Sequence, residues 1–495
     1  MFLTICQESL VKNSSIPEGV ASVIHYSGPT ARGMAMNDVD EFSIGHFGHK
    51  SREKAGATVF KNVLETGSVV PRRVGRTRSG EMSMHNFLSR PEVTPAEIIA
   101  TTARRTAKGC AGRRIVAAQD TTEINFKGRD RARKGLGPAG DGKTPGFFCH
   151  AMVAIDADDE ALLGVVHART WTRSSEKATK RRQRRIEDKE SMRWLEGTAA
   201  AADLLNGIAA QVIVLGDREF DIYAQFARIP PGTELIVRAA QDRKLADDDA
   251  RLFSAATGWR EFGRMNIRVP PHRPGEKERI ASVAVKAGQV CIARPLNGAD
   301  RADLPSVTLT LVEVHEVDPP RGQKAIVWRL LTTLQVRGQP DELAAAQEIV
   351  QLYRLRWRIE QVFRSMKSDG LCLEETQIHE ASRLFKLTAI ALVAAARNIQ
   401  LVDARDGSRR PASDVADEHV IAAAEAIGPT LEGKTERQKN PHPPRSLGWL
   451  AWIVARLGGW NCYYKPPGPK TMRIGWTRLA AMADGYAIAL TAQNG

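Results

Sequence analysis

The segment QLYRLRWRIEQVFRSMKSDG, residues 351–370, sets one glutamate, Glu360, among Arg354, Arg356, Arg358, Arg364 and Lys367. At 100° per residue, Tyr353, Arg356, Glu360 and Lys367 fall in a single helical stripe about 60° wide. Leu352, Leu355, Ile359, Val362 and Met366 fall on another face. One helix over 341–368 is therefore expected, burying its aliphatic side chains and presenting Tyr, Arg, Glu and Lys together. An ion-paired surface helix would give part of this pattern, because Arg356 and Glu360 stand at i,i+4. Two aspartates end short apolar runs: Asp120 closes RIVAAQD and Asp217 closes QVIVLGD. The carboxyl end of a buried strand is where open α/β sheets place ligands. A cap for the following helix is the other use of such an aspartate. Asp120, Asp217 and Glu360 are hard oxygen donors. Converging beside many cations, they suit phosphoryl transfer assisted by two Mg²⁺ ions about 4 Å apart, with Mn²⁺ as a substitute. The flanking Arg and Lys would then hold nucleic-acid phosphates.

The rest of the composition agrees with that chemistry. The chain has 495 residues and a formal net charge of +14, with 42% hydrophobic and 26% charged residues. It is long enough for two to four domains with sizeable cores. An excess of positive charge this large points to a polyanionic partner, of which double-stranded DNA is the common case. The six cysteines form no C-x-x-C pair, so neither a zinc ribbon nor a disulfide framework is expected. No apolar run approaches the ~20 residues of a membrane span, and no membrane partner is expected. The start, MFLTICQESLVKNSS, lacks the basic and apolar regions of a secretion signal. A cytoplasmic location is expected. RDRARKGLGPAGDGK (129–143) does not match a P-loop, so no nucleotide cofactor is expected.

The elements that must position these residues follow from the period of the apolar pattern. Residues 1–36 read as a loose tail. Residues 37–112 read as helical, with Thr94 as an N-cap and Pro95 as first helical residue of VTPAEIIATTARR. Residues 113–250 change period. Runs at 113–126, 146–158 and 161–173 read as a strand and a hairpin turning at Asp158 and Asp159. A helix, the strand 211–217, a short helix and the strand 234–240 follow. That order predicts an α/β fold with one mixed sheet covered by helices. Residues 251–340 read as a β-rich insertion, and 341–385 as the last core helix and its flank. Residues 386–495 read as a C-terminal helical segment with a polar linker at 404–446. In LGWLAWIVARLGGW, Leu447, Leu450, Ala451 and Val454 share one side, and Trp449, Trp452 and Trp460 add apolar area. Aromatics are enriched at protein interfaces, and packing on the catalytic core is the other use of such helices. The basic stretch KATKRRQRRIEDK (177–189) is expected to touch the DNA backbone.

Tyr353, Arg356, Glu360 and Lys367 match Y-x2-R-x3-E-x6-K. This resembles the YREK signature of bacterial cut-and-paste DDE transposases of the insertion-sequence-four family, of the Tn-five type. QDTT (119–122) resembles that family's first-acid segment and DREFDIY (217–223) its second. VWRLLTT (327–333) is similar to the segment whose tryptophan stacks on a flipped base, which here is Trp328. IVRAA (236–240) places Arg238 where the family has a DNA-contacting arginine. HNFLSRPEVTPAEI and RLGGW…PPGPKT…GWTRLA also look like this group, and the resemblance runs over roughly residues 40–490. It implies a ribonuclease-H-like core with a β insertion, an N-terminal domain that binds transposon ends, and a C-terminal dimerisation segment. It further implies a homodimer in a paired-end complex that cleaves DNA through a hairpin and joins 3′-hydroxyls to target DNA. Two alternatives stay open at the level of sequence. One is a structure-specific nuclease, and the other is a DNA-binding inhibitor of transposition with a silent core.

Overall fold

A computed structural model describes residues 42–126, 133–140, 142, 144–173, 187, 189–247, 250–269, 279–296, 300–323, 325–367, 370–408 and 410–493. The expected tail at 1–36 and most of the basic stretch 177–189 lie outside the described residues. Four helices come first: α1 (Lys50–Thr66), α2 (Pro71–Gly75), α3 (Arg78–Ser89) and α4 (Pro95–Gly109). Thr94 caps α4 as its sequence predicts, its hydroxyl accepting from Glu97 N–H at 3.2 Å.

A ten-stranded sheet follows. Its strands are β1 (Arg114–Asn125), β2 (Gly137–Ala139), β3 (Thr144–Asp156), β4 (Leu162–Trp171), β5 (Gln211–Gly216), β6 (Thr233–Arg238), β7 (Gly263–Val269), β8 (Arg279–Ala293), β9 (Ser306–Glu316) and β10 (Val327–Thr332). Helices α5 (Met192–Leu205), α6 (Tyr223–Ala227) and α7 (Leu252–Ala255) lie between them in the chain. The sheet order is β2-β3-β1-β5-β6-β10-β9-β8-β7, with β4 on β3. β1, β5 and β6 pair in parallel, and the other neighbours are antiparallel. This is the mixed, ribonuclease-H-like α/β sheet that the pattern predicts. The strands at 263–332 are continuous with it, because β10 pairs with β6 through Leu330↔Arg238 to Thr332↔Ile236.

Side chains alternate across the strands and divide the core in two. Val116, Ala118, Ile213 and Leu215 pack on one face with Ile359, Val362, Leu387 and Ile390. Ile115, Ala117, Val212 and Val214 pack on the other with Trp194, Ala201 and Leu205 of α5. α5 approaches β1 closely at Gly197, where a Cβ would stand 2.4 Å from Gln119 Oε1. Gln119 is fully buried and its amide is bonded to His150 and Thr198, so it has little room to yield. Gly197→Ala is therefore expected to destabilise the protein by about 1–2 kcal/mol through overpacking. That outcome would come despite alanine's helix advantage of about 1 kcal/mol. The check is a lower urea midpoint at unchanged slope.

Three expectations need correction. The single helix over 341–368 is two, α8 (Glu342–Arg354) and α9 (Trp357–Lys367). The N–H groups of Leu355 and Arg356 donate to the carbonyls of Leu352 and Tyr353, three residues back, and this tighter turn redirects the chain. Residues 404–446 are no simple linker, since they contain α11 (Glu418–Leu431), which buries Val420, Ile421, Ala423 and Ala424. The apolar residues of 447–460 are mostly inside the subunit. α12 (Leu447–Leu457) buries Leu447, Trp449, Leu450, Ala451, Trp452 and Val454 against α10 (Ala381–Ala404), α11 and α13 (Pro469–Gln493). Helical periodicity identifies an apolar face but not which surface covers it.

One further run was underrated by sequence. α10 is long and apolar enough to cross a membrane, with mean hydropathy 1.4 over its best window, yet 83% of that window is buried within the fold. Its small residues, Ala389, Ala391 and Ala394–Ala396, let neighbours pack on all sides, and the helix serves as a central core element.

Candidate active site

The parallel register of β1 with β5 runs from Arg114↔Gln211 to Ala118↔Leu215. Two residues further on, Asp120 and Asp217 stand level, on the face that Ala118 and Leu215 share and α9 covers. β1 continues past Asp120 to Asn125 along β3, so Asp120 is at the end of the parallel pairing rather than of its strand. Asp217 is both a cap and a candidate acid. Its Oδ1 accepts from Glu219 N–H at 2.8 Å at the start of the 3₁₀ turn Arg218–Phe220. Gly216 permits that turn, for a Cβ there would lie 2.1 Å from the Phe220 ring.

Glu360 comes from the first turn of α9 and reaches this site through Arg356. Arg356 Nη1 donates to Asp120 Oδ2 at 3.0 Å, and Nη2 donates to Glu360 Oε1 at 2.7 Å. Asp120 Oδ1 accepts from Thr121 N–H at 2.7 Å. Burial pushes the Asp120 carboxyl up to about 7, Arg356 opposing and the negative charges of Asp217 and Glu360 adding to the rise. The three acids thus share one electrostatic site. Among the described residues no group of three acidic, histidine or cysteine side chains is spaced to hold one ion. In this arrangement a guanidinium stands between Asp120 and Glu360.

The cations and aromatics divide into separate places. Tyr353, which closes α8 just before the turn at Leu355–Arg356, is buried, at 4% exposure, rather than presented at the surface. The Trp328 ring meets Tyr353 edge-on at 5.5 Å, and the Arg238 guanidinium lies 5.9 Å from the Trp328 centroid. Burial raises the Tyr353 phenol pKa; Arg356 and Arg238 oppose the rise and Asp217 adds to it, so this cluster adjoins the acids. Lys367, two turns along α9, instead meets Glu374 at 3.9 Å.

Sequence reasoning missed two features. Trp357, 38% exposed, stands next to Arg356, whose guanidinium is 5.5 Å from its ring. Arg193 of α5 lies on the opposite face of the sheet and contacts residues beside both aspartates. Its signal was present: Arg193, Trp194, Gly197, Thr198 and Ala201 form the buried face of α5, and a cation on such a face calls for a buried partner.

The mixed sheet and the helix α9 packed on it thus gather three carboxylates, Asp120, Asp217 and Glu360, around one guanidinium, a set of hard oxygen donors. Residues 196–399 match the model of a protein family described as the transposase DDE domain. The matched segment is less than half of the chain. It contains Asp217, Arg238, Trp328, Tyr353, Arg356, Glu360 and Lys367, and it begins after Asp120.

Proposed function

We propose that this protein is a DNA transposase that cleaves the ends of its own insertion sequence and joins the freed 3′-hydroxyls to target DNA. The observation that carries this reading is the level placement of Asp120 and Asp217, with Glu360 brought to them through Arg356. A divalent metal, Mg²⁺ or in its place Mn²⁺, fits the chemistry of the donors. The three carboxylates are hard oxygen ligands, and burial, the main cause of the raised Asp120 pKa, leaves a desolvated carboxyl whose ionised form a bound cation would stabilise. Asp120, Asp217 and Glu360 would hold it, and it would supply activation of the attacking oxygen and stabilisation of the leaving one. Arg356 must then release at least one of its two carboxylates, which frees a guanidinium donor for a DNA phosphate. Lys367 and Arg238 add phosphate contacts from α9 and β6. Trp328, braced edge-on by the buried Tyr353, offers a stacking surface for a base extruded during hairpin formation, a contact worth roughly 1–3 kcal/mol.

Two copies of the chain would hold two ends together. With α12 buried, the large apolar side chains of α13 that are exposed among the described residues are Met482, Tyr486 and Ile488, at 42%, 37% and 71% exposure. Met482 and Tyr486, at i,i+4, share one face and are the proposed subunit contact. The test is incubation of the purified protein with candidate end DNA, target DNA and Mg²⁺. Nicks, hairpins and joined products support the reading. Nicks without joining would make the protein a nuclease, and specific binding without cleavage a silent-core inhibitor.

The site also predicts a pH dependence. The Asp120 carboxyl sits at about 7 in the fold against an ordinary 3.8, so between those values the folded chain holds a proton that the unfolded chain has lost. The contribution of Asp120 to the stability of the metal-free protein should therefore fall as pH rises through that window. Metal binding needs the carboxylate, so Mn²⁺ affinity should climb by up to about tenfold per pH unit below about 7 and level off above. Thermal unfolding and Mn²⁺ titrations across the range check both. Asp120→Asn should remove its share of the trend and leave that of Asp403, which burial raises to about 6.

A further inference from the structure

The guanidinium of Arg193 is committed at every nitrogen. Nε donates to Thr121 Oγ1 at 3.0 Å, Nη1 to the Glu190 carbonyl at 2.9 Å, and Nη2 to Glu219 Oε2 at 2.6 Å. The side chain is 9% exposed and lies 5.3 and 5.4 Å from the rings of Trp171 and Trp194. Its partners flank the two aspartates. Thr121 follows Asp120 and gives it a backbone N–H at 2.7 Å; Glu219 gives Asp217 a backbone N–H at 2.8 Å. One side chain therefore ties together the two segments whose amides orient the two carboxylates.

Thr121 is fixed from a second direction. Its hydroxyl accepts from Arg193, which leaves its proton for His150 Nδ1 at 2.9 Å. His150 Nε2 then donates to Gln119 Oε1 at 3.1 Å, Gln119 Nε2 to Thr198 Oγ1 at 3.3 Å, and Thr198 to the Trp194 carbonyl at 3.1 Å. A single donor-to-acceptor direction satisfies every link and makes His150 neutral, with its proton on Nε2. Burial keeps it so, lowering its pKa well below the ordinary value. The chain begins at Arg193 and ends at the residue next to it on α5, so Thr121 has one place to sit.

We propose that Arg193 is a positioning residue that sets the spacing of Asp120 and Asp217 from behind the sheet and so sets the affinity of the acids for a divalent metal. The inference rests on the metal-dependent reading given above. Arginine suits the role because its planar fork reaches three acceptors in fixed directions, whereas a lysine ammonium is a point donor on a flexible stem. Supporting groups of this kind change metal affinity or activity by about 10–100-fold when removed.

The test measures Mn²⁺ binding to the full-length protein without DNA, by electron paramagnetic resonance of the free ion, alongside thermal unfolding. Arg193→Gln is expected to unfold cooperatively and to bind Mn²⁺ about 10–100-fold more weakly. Arg193→Lys should fail to restore affinity, although it restores the charge. Thr121→Val should weaken binding too, and should add little on top of Arg193→Gln because both break one connection. Asp120→Asn is the control. If Mn²⁺ binding survives Asp120→Asn, the metal reading itself fails. If Asp120→Asn removes binding while folded Arg193→Gln keeps wild-type affinity, the positioning role is overturned and the metal reading stands. Should Arg193→Gln not fold, wild-type affinity in Thr121→Val overturns the proposal in its place.

Discussion

Asp120→Asn, Asp217→Asn and Glu360→Gln are each expected to lower cleavage of end DNA by at least about a thousandfold, and the triple variant is expected to be little worse than any one of them. On the function proposed above the three carboxylates act as one ligand set, so loss of one member removes most of what the set contributes. Each substitution is close to isosteric and keeps a group able to accept a hydrogen bond. Arg356 stays bonded on at least one side, and the fold should persist. Binding of end DNA should be nearly unchanged, because phosphate contacts come from cations rather than from the acids. Gel shifts and cleavage assays on the same preparations check this. Wild-type cleavage by any one variant would take that residue out of the site.

The double substitution Met482→Glu with Tyr486→Glu is expected to abolish the paired-end complex. Both side chains are exposed on α13, so the subunit should fold and bind a single end as before. Placing two like charges in an apolar self-contact, against the same two charges from the second copy, removes anchoring residues of the kind that carry about 2 kcal/mol or more each. The association constant should fall more than a hundredfold. Cutting two ends in concert needs two active sites, so double-strand cleavage should fall with it. Native gels with ends of two lengths reveal the paired species as a band of mixed mobility. An unchanged mixed band would place the subunit contact elsewhere. Deleting residues beyond about 445 is a poorer test, since it removes α12, whose buried face closes the core against α10 and α11.

The sequence by itself determined the α/β class and the succession of strands and helices along the core, because short β-branched and aliphatic runs alternate with helical segments. It also singled out the three candidate acids. Asp120 and Asp217 each end an apolar run, and Glu360 is the lone glutamate of a basic stretch, which are local signals. Other features needed the third dimension. The level placement of Asp120 and Asp217 is a consequence of register, which depends on pairing between residues 97 apart, such as Arg114 and Gln211. The break at Leu355–Arg356 is invisible to a count at 100° per residue, since an unbroken helix satisfies the same apolar spacing. Tyr353 just before it is buried beneath Trp328, and Arg356 within it reaches two carboxylates. The fate of the C-terminal tryptophans was likewise undecided, because an apolar face reads the same whether its partner is the subunit's own core or a second copy. Arg193 shows the limit most plainly. Its charge on a buried face announced a partner, but the partners, Thr121 and Glu219, lie 72 and 26 residues away in sequence and meet it only when α5 closes on the back of the sheet.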